Sequence, residues 1–109
     1  MRPVSVGANP VANTLTTLYT VPTGYYGRVV LLRAANASAS VKHVTFDWVD
    51  TSAATTYSVV YQYGVASKTT SDFTAPFIME EGDILKVTTE AASTYAVVVT
   101  IEEEGLTRS

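Results

Sequence analysis

Cysteine is absent from the 109 residues, which removes disulfides, thiolate metal sites and thiol nucleophiles together. Charge is also scarce. Charged residues make up 16% of the chain, against about 25% in ordinary globular proteins. The formal charge of -3 and pI near 4.9 lack the basic footprint that nucleic acid or an anionic membrane would need, so neither is expected as a partner. No apolar run approaches the roughly 18 residues of a membrane span, and residues 1–13 lack the apolar centre of a signal peptide. The chain is therefore expected to be made and kept in a cytosol. No glycine-rich phosphate loop and no Gly-x-Ser-x-Gly elbow occurs. A non-enzymatic protein without cofactor or metal is the expectation.

What is present is β-forming. Hydrophobic residues at 47% suffice for a core, and roughly three residues in ten are Val or Thr, which pack well on a pleated surface. Alternation predicts a strand over Thr14–Val21, closed by the turn Pro22-Thr23-Gly24. Tyr25–Asn36 follows, where Val29-Val30-Leu31-Leu32 is apolar on both faces and suits a strand covered on each side or lying in a subunit contact. Val41–Asp50 sets Val44, Phe46 and Trp48 toward the core and His43, Thr45 and Asp47 toward water. Thr51–Thr55 reads as a loop, and the tyrosine-rich strand beyond it completes a long hairpin. Gly64–Asp72 has loop composition, and Pro76 confines Phe73–Met79 to an edge. Glu80-Glu81-Gly82-Asp83 is a tight turn, predicted as solvated with Gly82 at positive φ. Ile84–Glu90 and Tyr95–Glu102 are predicted to pair as a last hairpin, with Tyr95, Val97, Val99 and Ile101 facing the core.

Seven or eight short strands without helical periodicity indicate an all-β, antiparallel two-sheet β-sandwich, a jelly roll being one such winding. Residues 14–102 form this domain. Residues 1–13 are read as an extended N-terminal arm and 103–109 as a C-terminal tail. Pro3 and Pro10 keep the arm extended, and Arg2, Pro3, Val4, Val6 and Val11 are its candidate contacts with a neighbouring subunit.

His43 is the sole histidine, and Asp47 shares its strand face. Four strand residues separate the two by about 13 Å, too far for a catalytic dyad or a shared metal. The carboxylates Glu80, Glu81 and Asp83 fall short of the six to eight oxygens that calcium requires. Glu102-Glu103-Glu104 reads as a solvated charge run that blunts an edge. Asn36-Ala37-Ser38 matches a glycosylation acceptor but lacks a secretory route. The aromatics Tyr25, Tyr26, Tyr57, Tyr61 and Tyr63, with Trp48, would make a stacking platform for sugars if two or more share an exposed flat patch.

The stretch TLYTVPTGYYGRVVLLRAANAS, from Thr17 to Ser38, resembles a pattern in small structural proteins of tailed bacteriophages. There a Leu-Tyr-Thr-Val-Pro-x-Gly opening leads into a Val- and Leu-rich strand ending near an Asn. FIMEEGDILKVTTEAASTYAVVVTIEEE, Phe77 to Glu104, is similar to the closing hairpin of the same group. The resemblance implies a β-sandwich virion component assembled in the host cytoplasm. Its expected role is capsid decoration or cement, binding the assembled shell as a homo-oligomer through the major capsid protein or other virion proteins. A tail or head-to-tail component is the second reading, and a carbohydrate-recognition module for host attachment the third. The resemblance carries over no catalytic residues.

Overall fold

The computed structural model describes residues 2–10, 13–74, 76–90 and 95–105. Among these residues are nine strands: β1 (Arg2–Ala8), β2 (Thr16–Thr20), β3 (Tyr25–Asn36), β4 (Lys42–Asp50), β5 (Thr55–Val65), β6 (Thr69–Phe73), β7 (Phe77–Met79), β8 (Ile84–Thr89) and β9 (Tyr95–Gly105). Sheet A runs β1-β9-β3-β6, with β7 also on β3, and sheet B runs β2-β8-β4-β5. Counting β6 and β7 as one strand interrupted around Pro76, this is the antiparallel two-sheet sandwich with jelly-roll strand order. The interruption falls on a sheet edge, where a residue without an N–H is tolerated.

The core lies between the sheets. Tyr95, Val97, Val99 and Ile101 from β9 meet Val44 and Phe46 from β4 and Leu85 and Val87 from β8, all essentially inaccessible. Each such side chain stabilises the fold by roughly 1.5–3 kcal/mol. The apolar run in β3 is explained by a bulge. Val29 pairs Ile101 and Leu31 pairs Thr100, so Val30 is extra. The alternation changes phase there, and Val29 and Leu32 are both buried although three residues apart.

Several expectations change. The proposed arm is, over Arg2–Ala8, an edge strand paired with β9 from Arg2↔Glu103 to Ala8↔Val97, with Val6 and Ala8 packed on the core. Val11 lies outside the described residues. The tail begins later than expected, because β9 continues through Glu103 to Gly105. The predicted loop Gly64–Asp72 contains most of β6, which pairs Asn36 to Leu32 of β3. Strands β8 and β9 are not a hairpin. They belong to opposite sheets, as do β2 and β3 and β7 and β8, and the short connections 21–24 and 80–83 arch across the sandwich. The β4–β5 hairpin is present. Trp48 is half-buried, because it sits toward the open end of β4 and bonds to a loop carboxylate there.

Candidate functional site

Strand β5 is an edge of sheet B, and its eleven residues TTYSVVYQYGV carry no charge. Its register against β4 slips twice. Tyr63 pairs Val44, Val60 pairs Phe46 and Ser58 pairs Asp47. Tyr61 and Gln62 therefore share the place opposite Thr45, and Val59 is extra at the second slip. Bulges of this kind spoil the ladder that a second strand would extend.

Residues directly opposite in an antiparallel pair share a face, so Tyr57, beside Trp48, and Tyr63, beside Val44, turn toward the gap between the sheets. A row of rings closes that gap. Trp48 lies 5.3 Å from Tyr57 and 5.5 Å from Phe77, centroid to centroid. Tyr63 meets Phe73 edge-on at 5.0 Å, and Phe73 meets Phe46 at 6.2 Å. Tyr57 and Tyr63 remain 46% and 47% exposed. The seam is thus half core and half surface.

The five tyrosines do not form one patch. Tyr25 and Tyr26 start β3 in the other sheet, where the Arg2 guanidinium covers the Tyr25 ring at 4.6 Å. Tyr57, Tyr61 and Tyr63 line β5, Tyr61 being 70% exposed. The arm residues Arg2, Pro3, Val4 and Val6 all lie in β1. Arg2 is fixed at its end: Nε donates to Glu103 Oε1 at 2.6 Å, and the Tyr19 hydroxyl donates to Glu103 Oε2. Glu103 is only 3% exposed, so the charge run is not wholly solvated. Burial alone would raise its pKa, but the hydrogen bonds from Tyr19 and Arg2, with the Arg2 charge, hold it below the ordinary glutamate value. Burial, and then the Glu103 carboxylate, push the Tyr19 phenol above its usual value.

The acidic turn is likewise not solvated throughout. Gly82 has φ of 85° as expected, but Asp83 is completely buried. It accepts from Trp48 Nε1 at 3.0 Å, Thr51 N at 3.1 Å, Thr51 Oγ1 at 3.2 Å and Glu80 N at 2.9 Å. Asp50, Glu80 and Asp83 bring carboxylate oxygens within 4.8 Å of one another. Ser52 Oγ lies 2.9 Å from Asp50 and 3.1 Å from Glu80. The donors already there make the group a clasp between the β4–β5 loop and the β7–β8 turn. The same turn holds the other motif segment: Gly24 N donates to Glu81 Oε2 at 2.6 Å, Val21 N donates to Asp83 O at 2.9 Å and Gly82 N donates to Val21 O at 3.1 Å.

His43 pairs not with Asp47 but with Glu90, Nδ1 to Oε1 at 2.7 Å, while Asp47 accepts from Ser58. Asn36 is buried, its amide donating to Ser40 O and Val65 O and its oxygen accepting from Ser38, so its nitrogen is committed within the fold. Sequence reasoning missed the roles of Glu90 and Gln62, and took Asp83 and Glu103 as solvated although both are buried. Only Glu103 carried a signal, since the alternation Tyr95, Val97, Val99, Ile101 continues to it.

The chain matches no protein-family model and no curated protein. Among solved structures it is similar to a pentameric capsid protein isolated from metagenomic phage sequences. One crystal structure of that protein gives 20% identity and a TM-score of 0.47 over 95% of this chain. Another gives 22% and 0.42 over 95%. The chain spans 61% and 65% of the length of those two chains. It is also similar to the globular domain of zebrafish complement 1qA protein, at 12% identity and a TM-score of 0.49 over 98% of both chains.

Proposed function

We propose that the chain is a non-enzymatic structural component of a bacteriophage virion, a decoration or cement protein that binds the assembled capsid shell as a homo-oligomer. The observation that carries this reading is the half-exposed aromatic seam of Tyr57, Trp48, Phe77, Tyr63 and Phe73 beside an uncharged, bulged edge strand. Interface cores are enriched in aromatic side chains and poor in charge. Bulges deny an incoming strand its ladder, so the edge offers side chains rather than backbone. Ile78 and Val98, exposed on sheet A, supply apolar contacts on a second side, as joining neighbours requires. The resemblance of the segments from Thr17 and from Phe77 to phage structural proteins supports a place in the phage virion. Binding only the assembled lattice stabilises that lattice by mass action.

The test is co-sedimentation of the purified protein with capsids of its phage that lack it, followed by imaging of the decorated particle. Saturable pelleting with the shell, reduced by Tyr63→Ala, is the expected result. A protein that pellets with tails, or with neither, would end the decoration reading.

A further inference from the structure

A groove of about 270 Å³ lies across β4, β5 and β8, lined by Asn13, His43, Thr45, Gln62, Thr88 and Glu90, with Thr89 at its floor. It is separate from the aromatic seam: Thr45 alternates with the buried Val44 and Phe46 and so belongs to the outer face of sheet B, whereas Tyr57 and Tyr63 turn to the gap between sheets. Its walls are built by two departures from regular backbone. Asn13 has φ of 57° and closes one end by donating its N–H to Thr89 O at 2.6 Å. Gln62 has φ of 47° at the bulge, anchored by its N–H to Thr45 Oγ1 at 3.0 Å. Glutamine in the left-handed region is uncommon and unfavourable, and backbone strain of this sort gathers where a ligand is held.

The chemistry of the lining selects a ligand class. Its two ionisable groups, His43 and Glu90, are bound to each other. Among the described residues the Gln62 amide and the Thr88 hydroxyl have no hydrogen-bonding partner, and Thr45 Oγ1, occupied as an acceptor, retains a proton to donate. The wall thus presents neutral donors and acceptors at close spacing. A carboxylate at the rim disfavours an anion, and two potential ligands are too few for a cation. Tyr61, 70% exposed, shares the bulge with Gln62 but is not part of the lining.

We infer that this groove binds a neutral sugar residue, with Gln62, Thr45 and Thr88 hydrogen-bonding its hydroxyls. The inference is independent of the virion reading, since it uses a different face and would hold for the isolated protein.

Titration of the isotope-labelled protein with methyl glycosides of glucose, galactose, mannose and N-acetylglucosamine, monitored by amide chemical shifts, tests it, with inorganic phosphate as the anionic arm. The expected result is a saturable millimolar response to at least one glycoside at Thr45, Gln62 and Thr88, and none to phosphate. Gln62→Gly removes the amide and suits the positive φ, so this variant should keep the β signal and melting temperature while weakening binding by at least about tenfold. No saturable response to any glycoside, saturation by phosphate, or undiminished binding in a folded Gln62→Gly would each overturn the inference.

Discussion

Strands β1 and β5 are both sheet edges, yet the chain treats them in opposite ways. Strand β1 has no fully buried residue and contains Pro3 and Gly7, which weaken it as a template for another strand. It is held at its far end by the buried Glu103 carboxylate, through Arg2. Strand β5 has neither Pro nor charge. Its protection is geometric, two bulges that break the ladder, and its side chains remain large and aromatic. An edge can thus be closed to further strand pairing either by its composition or by its register. Only the second leaves an apolar side-chain surface for a partner.

Glu103→Ala should break this contrast most strongly. It leaves the largely buried Tyr19 hydroxyl without its acceptor and Arg2 without its anchor, a loss of about 1–3 kcal/mol. Denaturant melts should show that loss, and hydrogen exchange should show β1 amides exposed before those of β8. A variant with wild-type stability and wild-type protection of β1 would mean that pairing with β9 suffices.

Acid should reproduce part of the effect in the unmodified protein. Because Glu103 titrates below its ordinary value of about 4.5 when folded, the folded state binds fewer protons than the unfolded one in that range. Its contribution is present above pH 4.5 and is lost as pH falls through the folded pKa. Melting temperature followed downward from pH 6 should fall in that window, and less steeply in Glu103→Gln. The exposed ion pairs Arg33–Asp72 and His43–Glu90 shift their carboxylates in the same direction, but solvent screens them. Parallel curves for the two proteins would remove Glu103 as the source.

At the other edge, Tyr63→Ala should cost about 1 kcal/mol, the scale of one edge-on ring pair and its partial burial, and should weaken shell binding more than it weakens the fold. Tyr61→Ala is the smallest effect. Its ring is outside the seam, so stability should stay within about 0.5 kcal/mol of the parent. A larger loss in Tyr61→Ala than in Tyr63→Ala, by the same melts, would reverse the assignment of the two rings to outer face and gap.

The sandwich class and most of its core were legible because period-two alternation survives wherever one face is buried, as in β8 and β9. Alternation does not say which strand a strand meets. The connections before β3 and before β8 are as short as hairpin turns but arch between sheets, so the pairing of β8 with β4 and β2, and of β9 with β1 and β3, was hidden. Strand β1 was missed because Pro3 and Gly7 interrupt its Val4, Val6, Ala8 pattern, although an edge tolerates both. At the site, the tyrosines were visible as residues but not as two groups on opposite sheets. The pairing of Glu90 with His43 and the strain at Gln62 arise from register, which no local window contains.

The position of β9 also bears on how the molecule is made. It is the last of the described strands and lies between β1 and β3, so during synthesis, at about 5–20 residues per second, sheet A has a gap between them until β9 has been made. Arg2 waits for Glu103, and the edges of β1 and β3 that face each other have no ladder partner until β9 has been made. Long-range pairing of this kind makes folding slow and leaves edges open while it proceeds. Sheet A therefore cannot close by adding strands in chain order; it closes only when β9 inserts between two strands made before it.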